Sequence, residues 1–203
     1  MGRLSGKNIL IIIPKDYYDE EELEIPYERF KSEDANIIVA SAKMKEAVGV
    51  KAGRRMPDRL IVDCMEGITG DSYVTGGTGT RQIKAVFQGV VLVGGSGARI
   101  YLWEDKIVRL LITDRYKSEF VVAAIGQGIG CLAEANLVEA LEVPVNENIA
   151  KKPFLKILEK GKALLSDEDL IIHERLVMGK DGSTAEAFAK AVIDEVEKIT
   201  KTK

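Results

Sequence analysis

Few side chains in this chain of 203 residues are equipped for covalent chemistry: two cysteines, Cys64 and Cys131, and one histidine, His173. They are too few for a zinc site or a disulfide framework, so no metal and no cofactor is expected. The strongest local signal is a bend. Phe120-Val-Val-Ala-Ala-Ile125 reads as a buried strand, Gly126-Gln127-Gly128 as a sharp turn, and Ile129-Gly-Cys-Leu-Ala-Glu-Ala135 as the first turns of a helix. Strand, turn and helix in that order place the turn at the carboxyl edge of a sheet, where open α/β proteins keep their sites. Three readings compete for it. A dinucleotide fingerprint wants a third glycine where Cys131 stands, an early position in the chain, and an acid ~20 residues on, near Glu147. A nucleophile elbow wants a reactive side chain on the strained bend between small residues. Ala124-Ile125-Gly126-Gln127-Gly128 has the flanks but no nucleophile, and glycine relaxes the backbone there. The third reading is a tight glycine turn and nothing more.

The elements around this bend follow from hydrophobic pattern. Residues 7–13 form a continuous β-branched run ended by Pro14, a central strand. Residues 20–34 read as a helix with Leu23, Tyr27 and Phe30 on one face and acids at its start, which suits the helix dipole. Pro26 should disturb that helix. Residues 36–42 make a second strand, so the opening is a βαβ unit of a parallel sheet. Residues 46–57 are polar and irregular, and residues 59–65 alternate like a strand. The glycine-rich segment 67–80 suggests an inserted hairpin or loop; it lacks the Lys-Ser/Thr ending of a P-loop.

Gly89-Val-Val-Leu-Val93 is a further buried strand, ending in Gly94-Gly95-Ser96-Gly97. Ile100, Trp103, Ile107, Leu110 and Leu111 then recur at helical spacing. Residues 142–145 form a short strand whose proline suggests an edge. Residues 149–160 are an amphipathic helix, and 163–166 and 170–178 read as strands. Ser183-Thr-Ala-Glu186 looks like a capping box opening a last helix through about Lys198. There is no internal repeat and no linker, so residues 1–203 read as one domain, a three-layer αβα sandwich with a mainly parallel sheet.

Bulk properties narrow the function. Hydrophobic residues are 46% and charged residues 30%, as in an ordinary globular protein, and the net charge of −3 argues against nucleic acid as a partner. No apolar run approaches the ~18 residues of a membrane span. Residues 8–13 lead into Pro14-Lys15-Asp16 rather than a signal cleavage site, so a cytoplasmic location is expected. Many Lys and Glu beside few Asn, Gln and Cys point to a thermophile.

The sequence resembles the ThiJ/PfpI family, intracellular peptidase-like proteins and protein deglycases within the class I glutamine amidotransferase-like, flavodoxin-like fold. The likeness runs nearly the whole chain. Val90-Val-Leu-Val-Gly-Gly95 looks like the family's strand and Gly-Gly loop, and Val122-Ala-Ala-Ile-Gly-Gln-Gly128 like its Ala-Ile-Cys-His-Gly elbow. Asp181-Gly-Ser-Thr-Ala-Glu-Ala-Phe188 looks like the segment opening its last helix. Residues 17–27 look like its first loop and helix, which carry a carboxylate beside the cysteine.

On that resemblance the nucleophile position is Gly126, the following histidine position is Gln127, and the carboxylate position is best matched by Asp19, or by Glu20 if the register slips by one. Gly94, Gly95, Ser96, Gly126 and Gln127 then form a ligand or oxyanion pocket, with the backbone N–H groups of Gly95 and Gln127 as donors. Cys131 is the alternative nucleophile, though its place in the following helix should turn it to the sheet beside Ala135 and Val138. Cys64 and His173 read as a core thiol and a surface turn residue, and Ser96 lacks a base.

Three functional classes remain. The first is a non-catalytic relative that binds a small anionic or carbonyl ligand at the old active site. The second is a hydrolase, peptidase, glyoxalase or deglycase using Cys131, Cys64 or an Asp19-activated water. The third is an interaction protein working through segment 67–80. The family also implies a homodimer or higher homo-oligomer.

Overall fold

The computed structural model describes residues 2–65, 68–76, 79–145 and 150–200, with backbone alone for 68–76 and 79–85. Its centre is the row of apolar runs read above. β1 (Asn8–Ile12) leads through α1 (Glu20–Ser32) to β2 (Asn36–Ser41). A small antiparallel pair, β3 (Ala47–Val48) and β4 (Arg54–Arg55), precedes β5 (Arg59–Leu60). β6 (Ile68–Gly76) and β7 (Gly79–Ala85) pair antiparallel as a separate ribbon. Thus the expected insertion 67–80 contains hairpin strands, which run on to Ala85; residues 67, 77 and 78 lie outside the described residues.

β8 (Gly89–Leu92), α2 (Ser96–Tyr101), α3 (Lys106–Lys117), β9 (Val121–Ile125) and α4 (Ile129–Glu134) build the middle of the domain. β10 (Glu142–Pro144), α5 (Lys152–Lys160) and β11 (Leu164–Ser166) follow, then β12 (Leu170–His173), β13 (Leu176–Gly179) and α6 (Ala185–Glu197).

Seven strands form the main sheet in the order β12-β13-β9-β8-β1-β2-β5, parallel except for β12. Each buried strand alternates its side chains between two cores. Ile9, Ile11, Val91, Val121 and Ala123 face α1 and α6, with Phe30, Phe188 and Val192. Leu10, Ile12, Val90, Leu92 and Val122 face α3, α4 and α5, with Leu111, Leu132 and Leu158. This is the expected three-layer α/β sandwich. After β1 the chain moves outward to β2, and later returns to the other side of β1 with β8. That reversal opens a crevice at the carboxyl ends of β1, β8 and β9, the usual ligand position in open α/β sheets.

Several local expectations are corrected. Pro26 lies inside α1 without ending it; the missing N–H leaves the Glu22 carbonyl without its helical partner, and packing against α6 holds the helix together. Residues 59–65 are strand only to Leu60, because β5 pairs with β2 at two positions and the chain then winds a 3-10 turn that buries Ile61 and Cys64. The single helix expected through Ile100 and Leu111 is two. Asp105 accepts from the N–H groups of Ile107 (2.8 Å) and Val108 (3.2 Å) and starts α3 afresh, so Ile100 and Leu110 end up exposed. Residues 170–178 split into the antiparallel β12-β13 hairpin. The last helix is opened by Asp181 and Thr184, whose side chains cap reciprocally, rather than by Ser183 and Glu186. Of the helix expected over 149–160, α5 begins at Lys152, and residues 146–149 lie outside the described residues.

Candidate functional site

Four chain segments meet at the carboxyl edge of the sheet: residues 19–22 after β1, 94–96 after β8, 126–127 after β9 and 180–181 after β13. From these, Asp19, Glu22, Gly95, Ser96, Gly126, Gln127, Lys180 and Asp181 join Val50, Val145, Ala150, Lys151 and Phe154 in lining a cavity of about 350 Å³, within the range of small-molecule sites.

The cavity floor is set by close backbone approaches. Gly95 has φ of +85°, and a Cβ there would lie 2.5 Å from the Asp19 nitrogen, so only glycine lets the segment after β1 press against the loop after β8. Gly126 has φ of +56°, the strained bend expected of an elbow, but with no side chain on it. The turn is held from behind by Trp103, whose Nε1–H donates to the Gln127 carbonyl at 2.7 Å.

Over Gly126 stands Glu22. It is 4% exposed. Its Oε2 accepts the Gly94 N–H at 2.8 Å, and its Oε1 faces Gly126, where any added Cβ would overlap it. Burial pushes its carboxyl up to about 8; the negative charge of Asp19 adds to this and the Gly94 hydrogen bond opposes it. Near neutral pH the group is therefore mostly protonated. Since Oε2 is an acceptor, the proton belongs on Oε1, which can donate into the cavity.

The carboxylate position is thus corrected. Asp19 lines the cavity, but its Oδ1 caps α1 by accepting from the N–H groups of Glu21 (3.0 Å) and Glu22 (3.2 Å). Glu20 turns the other way, and its Oε1 accepts from Lys51 N–H (2.7 Å) and Gly53 N–H (2.9 Å), fastening the β3-β4 hairpin that carries Val50. The available signal was helical spacing: Glu22, Pro26 and Phe30 share the buried face of α1 at i, i+4 and i+8.

Of the other expected site residues, Gly95, Ser96, Gly126 and Gln127 line the cavity, and Gly94 supplies the donor to Glu22. Cys131 is 2% exposed in the core and is not among the lining residues. Burial and then Asp105 push its thiol far up, away from the thiolate a nucleophile needs. Cys64 is equally buried. His173 pairs with Leu176 where β13 begins, at the amino edge of the sheet, opposite the cavity. A triad through it is excluded by the topology. Among the described residues no cluster of three or more His, Cys, Asp or Glu is placed to hold a metal ion, and no helix is long and apolar enough to cross a membrane.

Comparison with known proteins adds a relationship. The model of the DJ-1/PfpI family matches residues 7–195. An uncharacterized protein of Methanocaldococcus jannaschii is 27% identical over 194 residues, covering 96% of this chain and 84% of that protein. A ThiJ/PfpI domain protein from Brachyspira murdochii superimposes with a TM-score of 0.77 at 21% identity, over 97% of this chain and 99% of that one. DJ-1beta of Drosophila melanogaster does so with a TM-score of 0.72 at 18% identity, over 97% and 91%. At these identities the two structures speak for the fold.

Proposed function

The chain belongs to the DJ-1/PfpI family, and we propose that it is a member whose elbow has given up covalent catalysis and whose cavity binds a small molecule through a carbonyl oxygen. The observation that carries this reading is the pair Gly126 and Glu22: the bend holds no nucleophile, and the buried carboxyl of Glu22 stands in the space one would fill. A ligand oxygen at the mouth of that space meets the Glu22 hydroxyl and the backbone N–H groups of Gly95 and Gln127. A neutral carbonyl fits better than the anion that the elbow alone suggested, because Asp19 and Asp181 both line the cavity. The test is equilibrium binding of short amides by calorimetry. Saturable binding that is lost in Gly126→Val, in protein that still melts cooperatively, supports the reading. No binding by the native protein refutes it.

A second reading rests on one property of Glu22. A carboxyl titrating at about 8 exchanges its proton near neutrality and is suited to general acid or base work on a bound water. Turnover of reactive aldehydes or small peptides that disappears in Glu22→Gln and survives Cys131→Ser would establish that enzyme class in place of the binding protein.

A further inference from the structure

The two aspartates of the cavity share a feature beyond their charge. Each spends one oxygen on capping. Asp19 Oδ1 takes two N–H groups of α1, and Asp181 Oδ1 takes the Ser183 N–H at 2.9 Å and the Ser183 hydroxyl at 2.6 Å. In both residues Oδ2 receives no hydrogen bond from a described residue. The turn that follows Asp181 packs against Asp19, since a Cβ on Gly182 would lie 3.4 Å from Asp19 Oδ1.

Two lysines line the same cavity. Lys180 lines the cavity, but its ammonium is paired with Asp169 (2.9 Å) and Asp167 (3.2 Å). Lys151, at the N-cap of α5, also lines the cavity. The charges bearing most on Glu22 are Asp19, Asp181 and Glu21, all negative. Glu22 itself is buried, with Oε1 directed at Gly126 and no described residue bonded to it. The cavity thus offers neutral donors at Gly95, Gln127 and Glu22 and charged acceptors at Asp19 and Asp181.

We infer that the ligand of this cavity carries a primary ammonium group as well as its carbonyl oxygen, with the oxygen over Gly126 and the ammonium against the free oxygens of Asp19 and Asp181. The inference rests on the binding reading given above and names the class of compound: small aminocarbonyl molecules. Charge-assisted hydrogen bonds from an ammonium to two carboxylates inside a cavity are stronger than those from a hydroxyl of the same shape. A ligand carboxylate in that place would meet like charge.

The test uses three amides of equal length on the full chain: 3-aminopropanamide, 3-hydroxypropanamide and malonamate. Calorimetry at pH 7 should give the ammonium compound ~10-fold or greater preference over the other two. The double variant Asp19→Asn, Asp181→Asn should reduce it to the level of the hydroxyl compound. Asparagine caps helices as well as aspartate does, so this variant should keep its fold, which its melting curve verifies. Equal binding of the amino and hydroxy amides, tighter binding of malonamate, or a preference that persists in the double variant would overturn the ammonium site while leaving the carbonyl pocket standing. Failure of all three amides to bind would overturn the pocket itself, and the ammonium site with it.

Discussion

The carboxyl group of Glu22 and the α-carbon of Gly126 interlock: Oε1 occupies the volume a side chain at 126 would need, while Oε2 is anchored by the Gly94 N–H at 2.8 Å. Gly126→Ala must therefore place a Cβ in a left-handed conformation and push a buried carboxyl off its only described donor. The first costs about 1–2 kcal/mol and the second about 1 kcal/mol or more. A loss of roughly 2–4 kcal/mol in urea denaturation is expected. A loss well under 1 kcal/mol would mean that Glu22 swings aside freely and does not define the cavity.

The same carboxyl makes stability depend on pH with a definite sign. Below about pH 4.5 it is neutral in both the folded and unfolded chains. Between there and its folded value of about 8, the unfolded chain releases the proton and the native one keeps it. Stability from this group thus falls as pH rises and levels off above about 8, a loss of up to about 5 kcal/mol. Glu22→Gln keeps an acceptor for Gly94 and has no proton to lose. Its stability should overtake that of the native protein at pH 9, and the difference should vanish near pH 4. Parallel pH profiles of the two proteins would refute the assignment.

Both thiols should be silent. Cys64 and Cys131 are each 2% exposed, and burial raises the Cys131 thiol. Iodoacetamide should label neither in the native protein between pH 6 and 9, and both should react once the chain is unfolded. Cys131→Ser should leave ligand binding unchanged. Rapid native labelling at Cys131 would restore a cysteine enzyme as the leading explanation.

Glu20 acts on the cavity at one remove. Its Oε1 collects the N–H groups of Lys51 and Gly53, and the hairpin so held places Val50 on the cavity wall. Glu20→Ala should cost about 1–3 kcal/mol, as expected for loss of charge-assisted hydrogen bonds. It should also speed amide exchange at Lys51 and Gly53 and weaken ligand binding. Glu20→Gln should restore most of each. Unchanged exchange at those two amides would show that the hairpin is held by other contacts.

The fold was legible because β8 and β9 are continuous buried runs, and because Gly126 and Gly94-Gly95 mark the turns after them. The turn after β9 and the glycine loop after β8 were legible for the same reason. The carboxylate was not. Residues 19–22 are four acids in a row, and only their rotation about the axis of α1 decides which one enters the core. Local similarity favoured Asp19, whose actual work is capping. Asp181 and Phe154 reach the cavity from elements more than fifty residues apart in sequence from Gly126 or on the far side of unpatterned segments, and no periodicity announces such meetings. Pro26 misled in another way: its local penalty is real, but packing against α6 outweighs it.

Trp103 is the sole tryptophan of the chain. Its indole is 5% exposed, hydrogen-bonded to the carbonyl of Gln127 and stacked on Phe154 with ring centroids 6.0 Å apart. Gln127 and Phe154 are both cavity-lining residues. The molecule thus carries a single indole in contact with two residues that line its cavity. Occupancy can be followed by the colour and intensity of the indole's emission, without dye, tag or assumed chemistry, and compound collections can be screened on the native protein as it stands.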